Sequence, residues 1–133
     1  MVLLDASAII YLLEGDDAAR QSVRGILNAL HAPEPPTLAV SALSRLECRV
    51  KPLRDDDDAL LAAYDAFFDD PGLLVIDLDR DVLDCATELR ARYRLRTPDA
   101  LQTASLLVHD TAGDFVTGDA DFLAIPGLRV HQA

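Results

Sequence analysis

Four acidic residues, Asp5, Glu47, Asp99 and Asp119, stand where carboxylates could do chemistry together. Asp5 ends the apolar run Val2-Leu3-Leu4, and Asp119 follows Phe115-Val116-Thr117-Gly118. Asp99 stands just inside a helix start, Thr97-Pro98-Asp99, and Glu47 lies among Leu43, Leu46 and Val50. A carboxylate in apolar surroundings is costly unless a cation or a hydrogen-bond donor meets it. Several in one cleft also repel each other, so protons or a divalent cation must offset them. No His or Cys set accompanies these acids at a ligand spacing, and an all-oxygen donor set selects a hard ion, Mg2+ or Mn2+. Such an ion can turn water into a nucleophile and stabilise the leaving oxygen of an in-line phosphoryl displacement.

For the four to meet, the elements between them must bring distant segments to one edge. Val2-Leu3-Leu4 has no polar alternation, which suits a strand covered on both faces. Residues 37–40 and 73–76 read as further buried strands, residues 114–117 as a fourth, and 128–130 as an edge strand after a turn at Pro126-Gly127. Between them fall helices over 6–13 and 17–30, and a third that opens on Ser41, carries Glu47 and ends before Pro52. A fourth starts in the acidic run 55–58, where acids favour a helix N-terminus. A fifth is capped by Asp79 and has Val82, Ala86, Leu89 and Tyr93 along one face, and a sixth has Thr97 as its cap. The order β-α-α-β-α-α-β-α-α-β-α-β predicts an α/β fold of three layers, α/β/α, with a central, mostly parallel sheet of four to five strands. Such sheets bind ligands in the crevice outside the strand carboxyl ends, where all four acids can converge.

The net charge is -11 at pH 7, which at first argues against a polyanionic partner, since phosphates are met by Lys and Arg. Residues 55–84, however, hold eleven acids against one base, and the rest of the chain has twelve acids and eleven bases. The acidity is local, so another face can be basic. The densest basic cluster is Arg90, Arg92, Arg94 and Arg96, of which only a subset can share one helix face. Cys48 and Cys85 lie in apolar helical patterns and read as core thiols. No apolar stretch reaches the roughly 20 residues of a membrane span, and the N-terminus lacks the basic region of a signal peptide. A cytoplasmic protein without a membrane partner is expected.

Val2-Leu3-Leu4-Asp5-Ala6-Ser7, Ser44-Arg45-Leu46-Glu47, Thr97-Pro98-Asp99-Ala100-Leu101 and Thr117-Gly118-Asp119-Ala120-Asp121-Phe122 resemble, in order and approximate spacing, the four acidic motifs of PIN-domain ribonucleases. The size is similar to that of the VapC toxins of bacterial toxin-antitoxin pairs. The resemblance spans the chain and implies a single PIN-like nuclease domain over residues 1–133. It further implies an endoribonuclease dependent on Mg2+ (or Mn2+), often a homodimer, whose substrate is RNA and whose partner is a cognate antitoxin. Carried over by position, Asp5, Glu47, Asp99 and Asp119 are the metal-binding and catalytic acids. Asp121 is an accessory acid, and Ser7 and Thr117 are hydroxyls that orient a carboxylate or a water. Arg45, Arg49, Arg90, Arg94 and Arg96 are candidate RNA contacts. Gly118 departs from the pattern, since many members carry Asn there.

Two other classes would also gather acids at a sheet edge. A receiver-like phosphoacceptor domain needs a Lys near its last strands, and the single Lys of this chain is Lys51. A haloacid dehalogenase-type phosphatase wants a second Asp two residues after Asp5, where Ser7 stands. A non-catalytic module that binds a protein partner in its acidic cleft is the remaining alternative.

Overall fold

The computed structural model describes residues 1–133. Five strands, β1 (Val2–Leu4), β2 (Leu38–Ser41), β3 (Leu74–Ile76), β4 (Asp114–Thr117) and β5 (Arg129–Gln132), form one sheet in the order β3-β2-β1-β4-β5. Every neighbouring pair is parallel. Six α-helices cover it: α1 (Ala6–Leu13), α2 (Asp17–Ala29), α3 (Ala42–Arg54), α4 (Asp58–Phe68), α5 (Arg80–Tyr93) and α6 (Thr97–Leu107), with a short 3-10 helix at Ala120–Ala124.

Side chains alternate across a strand, so the apolar run of β1 feeds two cores at once. Leu3 joins Ala39, Ile76 and Phe115 beneath α5, α6 and the 3-10 helix. Val2 and Leu4 join Val40 and Val116 on the other face, with Ile9, Val23, Cys48, Tyr64 and Phe68 from α1 to α4. The three-layer architecture read from the sequence is therefore the one observed, with a sheet that is parallel throughout. No helix is long and apolar enough to cross a membrane.

Register fixes what stands at the carboxyl edge. Leu4 pairs with Val40 on one side and with Val116 on the other, so the next residues, Asp5, Ser41 and Thr117, come level there. From β1 the chain moves to β2 and β3 on one side, and later to β4 and β5 on the other. The β1/β4 boundary is thus the topological switch point, the place where open parallel sheets form a crevice.

Several local expectations differ from the structure. β3 is an edge strand, not a buried one, and Leu74 is 41% exposed. α3 does not stop before Pro52 but runs through it to Arg54. Pro52 is buried and its carbonyl accepts the Asp57 amide at 2.9 Å, while its missing N–H leaves the Cys48 carbonyl one turn earlier without a helical donor. On α3 the buried residues are Ser44, Cys48 and Pro52, whereas Leu46, Val50 and Leu53 face outward. Tyr93 lies outside the buried face formed by Val82, Ala86 and Leu89. α6 begins one residue earlier than expected: Arg96 is its cap residue, without a side-chain cap bond, and Thr97 is already helical.

Phe115 is fully buried on β4, and its ring lies 4.7 Å from that of Phe122 in the 3-10 helix, so it supports the turn that carries Asp119. Phe115→Ala is expected to destabilise the fold by about 3–5 kcal/mol, read as a lowered denaturation midpoint. A loss below about 1 kcal/mol would show that this contact does not hold the turn.

Candidate active site

A single residue, Asp5, separates β1 from α1, and it is the helix cap. Its Oδ1 accepts the Ala8 amide at 2.9 Å and the Ser7 hydroxyl at 2.7 Å, while Oδ2 accepts the Thr117 hydroxyl at 2.7 Å. Only 4% of the residue is exposed. Burial raises the Asp5 carboxyl above its ordinary value of 3.8, and the Asp119 charge adds to this. The bonds from Ser7, Thr117 and Ala8 oppose the rise. Each hydroxyl is in turn held by the turn after β4, because Ser7 Oγ accepts the Gly118 amide at 2.8 Å and Thr117 Oγ1 accepts the Asp119 amide at 2.9 Å. Their protons are thereby directed at Asp5. A Cβ at Gly118 would stand 2.7 Å from the Tyr11 ring, so here the position takes glycine because the ring occupies the space a side chain would need.

Asp119 caps the 3-10 helix, accepting the Asp121 amide at 2.9 Å. Asp121 itself is exposed and is not part of the cleft lining; its bond to the site is through its backbone amide. Asp99, in the first turn of α6, pairs with Arg96, whose Nε lies 3.3 Å from Oδ2. Glu47 is half-buried on α3 and accepts the Gln102 Nε2 at 2.9 Å. Burial raises the Glu47 carboxyl above 4.5; the Gln102 bond opposes this, and the charges of Asp5 and Asp99 reinforce it. Gln102 was not singled out in the sequence, although its place three residues after Asp99 puts it on the same helix face.

Asp5, Glu47, Asp99 and Asp119 line one cleft of about 180 Å3, together with Ser7, Gln102 and Arg96. Of the candidate arginines, Arg96 alone reaches this lining. Arg49 Nε lies 2.8 Å from Asp65, and Arg45 lies 3.8 Å from both Asp65 and Asp69. These two border a separate groove of about 370 Å3 along the outer face of α3. Arg90 donates to the Leu95 carbonyl at 2.9 Å, and Arg94 ends α5 in the left-handed conformation at φ 55°. Lys51 is bound to Glu14 at 3.0 Å and lies outside the cleft lining, which removes the receiver-like arrangement.

The cleft's donors are carboxylate oxygens with hydroxyl and amide support, which is the chemistry that suits a hard divalent cation. No three acidic, His or Cys side chains are gathered closely enough to enclose an ion by themselves. Mg2+ does not require that: it is commonly held by one or two carboxylates and keeps several waters. The residues present therefore fit a hydrated divalent ion.

Comparison with known proteins agrees with the fold. The model of the PIN domain family matches residues 2–128. A toxin-antitoxin complex from Klebsiella pneumoniae is similar at a TM-score of 0.74 and 23% identity, covering 100% of both chains. VapBC2 from Rickettsia felis, bound to a DNA fragment from its promoter, is similar at 0.76 and 17%, covering 99% of this chain and 98% of that one. VapC20 from Mycobacterium tuberculosis, a toxin that cleaves the sarcin-ricin loop, is similar at 0.72 and 19%, covering 97% and 99%. At these identities the likeness is one of fold. Among curated protein sequences nothing matches.

The raised acids give a pH dependence of defined sign. Between the ordinary value and the raised folded value of Glu47 or Asp5, the folded state binds more protons than the unfolded one, so stability falls as pH rises through that window. Glu47→Gln keeps an acceptor for Gln102 and removes the charge. In chelator at pH 7 this variant is expected to melt about 2–5 °C above the parent, the gap closing as pH falls toward 4.5. Thermal melts across pH check this, and a variant that melts lower at pH 7 would show the ionised Glu47 to be stabilising.

Proposed function

The chain belongs to the PIN domain family, and on that footing we propose that it is a divalent-metal-dependent endoribonuclease and the toxin of a toxin-antitoxin pair. The observation that carries this reading is the convergence of four carboxylates, from four separate segments, on one cleft with a single arginine beside them. The toxin reading draws support from the Klebsiella and Rickettsia structures, which are complexes with antitoxins. A cognate antitoxin is the proposed protein partner. RNA is the proposed substrate class, with cleavage of the sarcin-ricin loop belonging to the Mycobacterium protein.

Asp5 and Asp99 are the proposed principal ligands, with Glu47 and Asp119 completing the set directly or through water. A bound Mg2+ or Mn2+ would supply water activation and charge stabilisation for an in-line displacement at phosphorus. Ser7 and Thr117 hold both Asp5 oxygens in fixed directions, so the carboxylate need not reorganise during the reaction. Arg96 is placed to meet a phosphate at the cleft, because its guanidinium is exposed and its one partner is Asp99. Water as the nucleophile, in place of the ribose 2′-hydroxyl, leaves a 5′-phosphate and a 3′-hydroxyl.

Purified chain free of antitoxin should cut a mixed pool of structured and single-stranded RNAs with Mg2+ or Mn2+ and not with chelator. Asp5→Asn should lose at least about a hundredfold in rate while remaining folded. Full activity in that variant would remove Asp5 from the mechanism, and cleavage unaffected by chelator would remove the metal. Arg96→Ala should weaken RNA binding and lower the salt slope by about one; an unchanged slope in filter binding would place the phosphate contact elsewhere.

A further inference from the structure

Gln102 is 3% exposed, yet it lines the acidic cleft. Both of its N–H groups are committed to α3, since Nε2 donates to Glu47 Oε1 at 2.9 Å and to Ser44 Oγ at 2.8 Å. Its Oε1 is buried and has no partner. Turned round, the amide would set Oε1 against the Glu47 carboxylate, acceptor facing acceptor, so the Glu47 charge fixes the orientation. A buried acceptor without a donor carries a desolvation cost that an apolar side chain of the same length would avoid. Something other than packing must account for an amide at this place.

Glu47 is the acid that needs a tether. It is half-buried and shares one cleft lining with the like-charged carboxylates of Asp5 and Asp99. A glutamate side chain with three rotatable bonds escapes such repulsion by swinging toward solvent. A Lys or Arg at position 102 would hold it, but would also cancel the negative charge that attracts a cation. A neutral donor holds the carboxylate and leaves its charge free. Because Gln102 shares a face of α6 with Asp99, the same bond also fixes α6 to α3 beside the two acids.

We propose that Gln102 is a positioning residue, whose amide, set by Ser44, holds the Glu47 carboxylate beside Asp99 in the arrangement that divalent-ion binding requires. This rests on the reading of the cleft as an ion site. Gln102 acts through Glu47 and makes no contact with the ion.

The test uses Mn2+ alone as the probe, titrated calorimetrically into folded, chelator-treated protein at pH 7, with thermal melts of the ion-free protein alongside. Gln102→Met keeps the length and buried bulk but lacks the donor. It should weaken Mn2+ binding about tenfold or more, a loss larger than the modest fall in ion-free melting temperature expected from two lost N–H bonds that removal of the unpaired acceptor partly offsets. Gln102→Asn, one methylene shorter, keeps an amide that falls short of Glu47, and should weaken binding likewise. If Gln102 works through Glu47, adding Gln102→Met to Glu47→Gln should weaken binding no further. Wild-type affinity in both variants, additive losses in the double variant, or affinity that falls only in step with melting temperature would each overturn the inference. A parent chain that binds no Mn2+ would overturn the metal-dependent reading and this inference with it, whereas binding by the parent and equally by Gln102→Met overturns the role of Gln102 alone.

Discussion

A carboxylate buried at the end of a parallel strand must be given donors, and the rest of this fold is arranged to give them to Asp5. An ionised acid without hydrogen bonds in an apolar interior is far more costly than a domain's stability allows. α1 starts at once after β1 and supplies the Ala8 amide and the Ser7 hydroxyl; β4, adjacent through a parallel register, supplies Thr117. With β2 on the other side of β1, this need places β4 where the strand order reverses. The switch point and the buried acid are thus one constraint: shifting β4 by a residue would turn Thr117 to the opposite face and leave Asp5 Oδ2 without its donor.

The second acid-bearing helix is tied to the first by a polar brace. Glu14, at the end of α1, accepts bonds from Lys51 of α3, at 3.0 Å, and from Tyr64 of α4. Burial would raise the Glu14 carboxyl, but these two donors and the Lys51 charge together hold it below its ordinary value. Cys48, buried beside this brace, has its thiol pushed up to about 12 by burial and by neighbouring carboxylates, so it is inert packing. The acids at the end of α4 serve a comparable structural end: Asp65, and Asp69 just past the helix, sit beside Arg45 and Arg49, which neutralises the outer face of α3. Much of the net charge of -11 therefore lies away from the cleft, for instance in the helix caps Asp57 and Asp79.

The element order, the parallel sheet and the meeting of the four acids were legible in the sequence because they depend on apolar runs and on junction residues. Asp5 and Asp119 follow strands directly, and their place at the carboxyl edge follows from connectivity. What could not be read depends on which helix faces meet. Leu46 and Val50 have the spacing of a buried stripe, but α3 turns Ser44, Glu47 and Cys48 inward because Gln102 and the α1 core are its neighbours. The arginines were separable only by their partners: Arg94 as a left-handed helix end, Arg90 on a carbonyl, and Arg96 at the cleft. Gln102 lay hidden as one polar residue in a helix whose other buried positions are the small or apolar Ala100, Thr103, Ala104, Ser105 and Leu106.

The way the acids are held also reconciles an acidic protein with the polyanionic substrate we propose for it. Asp5 is fixed by two hydroxyls and an amide, Glu47 by a neutral amide, and Asp119 by the amide of its own turn. Only Asp99 is met by a cation. Neutral donors fix direction without cancelling charge, so the cleft keeps the negative potential that concentrates divalent cations. Had lysines or arginines held these side chains, the same geometry would be neutral and would have no use for an ion. On the function we propose, the site would be organised for a phosphate only once a cation has been admitted, and it is the hydroxyl and amide side chains around the acids that would make this order of events possible.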